Sequence, residues 1–149
     1  MQYTKGAWLW KLEAISRAGH GRPFFAAVGG FEYTFFQIRE SNADLGLLVE
    51  FQYDGRDDNI DAPFIASDND LFMGARVALN DESSTSALAG LVVDVTNAST
   101  AGIIEAERRL SEHWKAELEA RLFIYADRDD PFFSFRRDDS ITLRMTYSF

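Results

Sequence analysis

The stretch 141–149 reads I-T-L-R-M-T-Y-S-F and alternates without a break. Ile141, Leu143, Met145, Tyr147 and Phe149 fall on one side of an extended chain, because side chains on a strand repeat with period two. Thr142, Arg144, Thr146 and Ser148 fall on the other. A helix would scatter the same five apolar residues around its circumference. The stretch therefore predicts a strand with one apolar and one polar face. It finishes on a Phe, where chain ends are usually polar and frayed.

Moving back along the chain, the same pattern returns in segment after segment. Residues 114–126 set Trp114, Ala116, Leu118, Ala120, Leu122 and Ile124 against Lys115, Glu117, Glu119, Arg121, Phe123 and Tyr125. Residues 101–110 carry Glu105, Glu107 and Arg109 on a polar face, with Ile104, Ala106 and Leu110 opposite, interrupted by Arg108. That arginine lies near a strand end, where a long side chain can snorkel. Residues 87–95 and 71–80 place Asp94 and Arg76 on their polar faces. Residues 45–53 set Leu45, Leu47, Val49, Phe51 and Tyr53 against Glu50 and its neighbours. Residues 24–38 set Phe25, Phe31, Tyr33 and Phe35 against Glu32. Residues 6–17 set Trp8, Trp10 and Leu12 against Lys11, Glu13 and Arg17. Ala, Glu, Leu and Arg between residues 104 and 121 also suit a helix. Period two nevertheless holds through 115–125, and Ser111-Glu112-His113 reads as a turn, so two strands are expected there.

The expected fold is all-β: an antiparallel up-and-down meander of about eight strands, each long enough to cross a bilayer at a tilt. It would form a β-barrel or the C-terminal part of a larger one. At 149 residues the chain is one domain's worth. Hydrophobic residues make up 46% and mean hydropathy is −0.21, which leaves no segment apolar enough for a transmembrane helix. A membrane barrel averages its lipid-facing and lumen-facing residues, so it hides in such a composition. Aromatics at 14%, with 13 Phe, suit interfacial girdles. The absence of cysteine excludes a disulfide scaffold or a thiolate metal site. A net charge of −9 argues against a nucleic-acid partner, which needs a basic face.

A soluble lipocalin-like barrel shows the same alternation with the apolar face inward. The aromatic residues Trp8, Trp10, Phe25, Phe31, Tyr33, Phe35, Phe51, Tyr53, Trp114, Tyr147 and Phe149 overfill one narrow interior. The polar face mixes acids and bases in near balance, as in a lumen where charges pair across strands. These candidate lumen residues are Lys11, Glu13, Arg17, Glu32, Glu50, Arg76, Asp94, Glu105, Glu107, Arg109, Lys115, Glu117, Glu119, Arg121 and Arg144.

The ending at 141–149 resembles the C-terminal strand of Gram-negative outer-membrane β-barrel proteins, in a proteobacterial family of that kind. The resemblance implies that Ile141, Leu143, Met145, Tyr147 and Phe149 form the signal read by the barrel assembly machinery. It also implies an outer-membrane location with a periplasmic C-terminus, and the lipid bilayer and lipopolysaccharide as partners. Connection lengths agree with that orientation: the long charged connections 54–70 and 127–140 fall outside, and 39–44, 81–86 and 111–113 are short. No secretory signal precedes the first strand, so the expectation is a mature form with an added Met or the C-terminal part of a longer protein.

Chemistry finds little footing. His20 and His113 stand in turns, and no family motif sets a nucleophile against either, so no catalysis is expected. Asp57, Asn59 and Asp61 have the spacing of a calcium loop, but Ala62 and Asp68 replace its turn glycine and bidentate glutamate. No cofactor is expected. The favoured function is a channel or transport barrel with a charged lumen; the alternative is a small closed eight-stranded surface module of structural, adhesive or ligand-binding type.

Overall fold

In the computed structural model, residues 1–18, 23–56 and 69–149 are described. Among the described residues, nine antiparallel strands follow one another across a single sheet in chain order. They are β1 (Gln2–Lys5), β2 (Trp8–Arg17), β3 (Phe24–Phe35), β4 (Asp44–Asp54), β5 (Asn69–Ala78), β6 (Ser86–Asp94), β7 (Thr100–Arg109), β8 (Trp114–Tyr125) and β9 (Ser140–Tyr147). The up-and-down meander read from the sequence is the architecture. The helix-forming residues between 104 and 121 lie in β7 and β8, and short 3-10 turns at Ile38–Glu40 and Pro131–Phe135 are the helical content among the described residues.

One strand more is present than periodicity counts. Gly6 takes φ +59° while Ala7 stays outside the left-handed region, the signature of a type II′ two-residue hairpin. Lys5 consequently pairs with Trp8 and Gln2 with Lys11, so β1 becomes a strand of its own. Among the described residues the sheet is not closed: β1 forms one edge and β9 the other.

The ladders separate the faces. One row runs Tyr3, Trp10, Phe31, Val49, Met73, Leu91, Gly102 and Leu122, each residue directly opposite the next. The adjacent row runs Lys11, Gly30, Glu50, Phe72 and Val92. Exposure then inverts the usual order. Ala43 and Ala120 are the buried hydrophobic residues among those described, whereas Glu32, Asp54, Asp70, Asp94, Ser99 and Asp130 are buried. Leu143 is 67% exposed and Glu32 only 4%. A single sheet covers a face by curling toward it, and the buried carboxylates Glu32, Asp54, Asp70 and Asp94 all lie on the polar face. Total accessible surface is 10817 Å², whereas a soluble monomer of this mass exposes about 7,700 Å².

Glycines on the polar face let the sheet bend. The ring of Phe72 lies over Gly74 and Gly90, and a Cβ built on Gly90 would collide with it. Gly90→Ala should therefore cost about 1–2 kcal/mol, as an overpacked site does. The penalty should shrink when Phe72→Leu removes the ring, which denaturant titration of both variants in detergent checks.

The two ends of the sheet differ. Connections 6–7, 36–43, 79–85 and 110–113 are short and share an end with the finish of β9. At the opposite end of the sheet the strand ends are separated by the long intervals 55–68 and 126–139. On the apolar face at the short-turn end, Trp8 stacks on Trp10 at 5.5 Å and Trp114 meets Tyr147 at 5.0 Å. Phe25 and Tyr53 mark the long-loop end, 6.5 Å apart.

Turn 79–85 is held by one carboxylate. Asp81 Oδ1 accepts from the Thr85 amide at 2.7 Å and Oδ2 from the Thr85 hydroxyl at 2.8 Å. These bonds, backbone first, hold the Asp81 carboxyl below the usual carboxylate range, with the charge of Arg108 adding to them. A depressed folded pKa stabilises above the unfolded value and loses that stabilisation as pH falls through the folded one. Asp81→Asn should thus lower the unfolding midpoint at pH 7, and the gap to the unsubstituted protein should narrow below about pH 4, the range of carboxylate titration. A gap independent of pH would contradict the assignment.

Candidate functional site: the charged face

All fifteen charged residues singled out above share one face, since each is linked through the ladders to the row of Lys11 and Glu50. Their pairing is built strand by strand. Glu32 on β3 and Arg76 on β5 sit either side of β4, and the Arg76 guanidinium donates to Glu32 Oε1. The bond passes over Gly46, where a Cβ would come within 2.6 Å of Glu32 Oε1. Glycine leaves the gap that two non-adjacent strands use to meet.

On β7 and β8, like charges stand directly opposite: Glu105 against Glu119, and Glu107 against Glu117. Such pairs are unfavourable unless cations intervene. Lys115 Nζ supplies one, 2.7 Å from Glu107 Oε2 and 2.9 Å from Glu117 Oε1. Arg121 Nε lies 2.7 Å from Glu119 Oε1, and Arg144 on β9 lies 3.8 Å from Glu117 Oε2. Arg76, Glu105, Glu107, Glu117, Glu119 and Arg144 line a groove of about 420 Å³ along this face.

Not every predicted member plays the same part. Asp94 is committed to the turn after β6: its Oδ1 accepts from the Thr96 amide at 2.6 Å and its Oδ2 from Asn97 Nδ2 at 2.9 Å. Arg108 lies on the apolar face near the end of β7, its charge felt by Asp81. His113 Nδ1 is 3.0 Å from the Ser148 carbonyl, and its own carbonyl accepts from the Ser148 amide, so this histidine ties down the chain after β9. His20, Asp57, Asn59 and Asp61 lie outside the described residues. Among the described residues, no group of three His, Asp or Glu is placed to hold a metal ion.

No family model, curated protein or solved structure matches the chain.

The charged face therefore has to be read from its own geometry, and it includes residues that the candidate set omits. Asp54 and Asp70 continue the polar face by one step, beyond Gln52 and before Phe72, and both are buried. Period two, extended one residue into each flanking loop, points to them. Loop 126–139 leans on the same face, with Phe135 stacked on Phe123 at 6.4 Å and the Asp127 amide donating to Ser99 Oγ at 3.0 Å. Periodicity carries no trace of those contacts, because they join a loop to a strand and to a turn.

Proposed function

We propose that this sheet is part of the wall of an outer-membrane β-barrel, with its charged face toward a water-filled lumen of channel or transport type. The observation that carries the reading is the inverted burial. Phe51 is 42% exposed and Leu143 67%, while Glu32, Asp54, Asp70 and Asp94 on the opposite face are buried. A soluble binding barrel needs those apolar groups inside. Water penalises an apolar face of this extent, and hydrocarbon does not. Aromatic clusters at both ends of the strands fit the two headgroup regions. β2 and β5 have ten residues each and β4 eleven, lengths that span a bilayer at a tilt.

The open sheet favours a larger wall over the small closed module, because an unpaired edge is not tolerated in hydrocarbon. In that setting Ile141, Leu143, Met145, Tyr147 and Phe149 serve as the assembly signal, with the short-turn end periplasmic. Refolding with and without detergent tests the membrane part: the chain is expected to need detergent or lipid, and a soluble monomer in plain buffer would sink it. Planar-bilayer recording tests the channel part, with discrete conductance steps expected from the barrel that contains this wall. A folded barrel that gives no steps would count against a channel.

A further inference from the structure

The edges of the sheet specify what completes it, an argument that rests on the barrel reading. Nine strands alternate in direction, so β1 and β9 run the same way. Ser148 donates to the His113 carbonyl, and backbone direction alternates along a strand. The amides of Thr142, Arg144 and Thr146 therefore point to β8, and those of Ile141, Leu143, Met145 and Tyr147 point to the open edge. A second copy set head to tail would offer β9 only a parallel β1 of four residues against eight, leaving part of that edge bare in hydrocarbon. A two-fold pairing of β9 with β9 is antiparallel but inverts one copy in the membrane. On the polar face, Arg144 has a side chain 70% exposed, linked to Glu117 only at 3.8 Å.

We infer that the free edge of β9 docks a transmembrane strand other than β1–β9, antiparallel to it and of full bilayer length, carrying apolar residues beside Leu143 and Met145 and a carboxylate facing Arg144. Because β1 and β9 are parallel, an odd number of such strands completes an antiparallel barrel.

The test uses the whole chain in detergent micelles, with amide exchange read along β9. Exchange at Leu143 and Met145 should be at least ~100-fold faster than at Thr142, Arg144 and Thr146, the difference between an open and a paired ladder. A synthetic strand of alternating Val and Thr, with Glu placed to face Arg144, should slow Leu143 and Met145 by ~10-fold or more, and its Lys counterpart should do less. Equal protection of both sets without peptide overturns the inference, and so does a Glu peptide that leaves exchange unchanged or slows it no more than the Lys peptide does. In the first case, oxidation of a Tyr3→Cys/Met145→Cys variant identifies the cause: an intramolecular disulfide means that nine strands close on themselves, and an intermolecular one means that copies close the ring. A chain that folds as a monomer in water without micelles overturns the barrel reading itself, which separates the two failures.

Discussion

Leu91→Arg should destabilise the protein by about 2–4 kcal/mol in lipid vesicles, the cost of a cation on the lipid face near mid-membrane. Leu91 sits in the middle of β6, opposite Met73 on one side and Gly102 on the other. Apart from the Tyr3 phenol, its row carries no ionisable group from Tyr3 to Leu122. It is already 41% exposed. On a soluble protein an arginine there would reach water, and the change would stay within about 0.5 kcal/mol. The two environments thus predict different outcomes for one substitution. Denaturant titration of the vesicle-bound protein measures it, and a near-neutral result would mean that this face meets water.

Arg76→Ala should cost about 2–3 kcal/mol, below the usual loss for breaking a buried pair because Arg76 itself is half exposed. The loss comes from Glu32, whose buried carboxyl group is left without its guanidinium partner. Most of it should return in the Glu32→Gln/Arg76→Ala double variant, where no buried charge remains unmatched. If Arg76→Ala costs as much in the Glu32→Gln background as it does with Glu32 in place, Arg76 acts through the packing of its stem instead. The double-mutant cycle is read by denaturant unfolding in detergent.

Much of the fold was legible because alternation is a local property. Ile141 to Tyr147 declare their face without reference to any other strand, and the same holds for β4 and β8. Gln2–Lys5 did not declare itself, since Tyr3 is its single large apolar residue and the hairpin turns on Gly6 without the Pro or Asn that usually marks a turn. The charged face was legible as a set of residues, while its pairings were not. Glu32 and Arg76 lie 44 positions apart and meet only because β4 carries a glycine between them. The bulge between Thr100 and Ala101 likewise shifts the β7–β8 register by a step that no periodicity records.

The unequal connections at the two ends of the sheet carry a consequence for how such a wall is put in place. Loop 126–139 bears Asp127, Arg128, Asp129, Asp130, Arg136 and Arg137, and each charge resists passage through hydrocarbon. In the orientation proposed, that loop crosses the membrane once, during assembly, and recrossing meets the same barrier with the strands already locked together. The short turns, which stay behind, face no such barrier. Orientation is then decided by traffic during insertion rather than by equilibrium afterwards, and the long loops act as a ratchet.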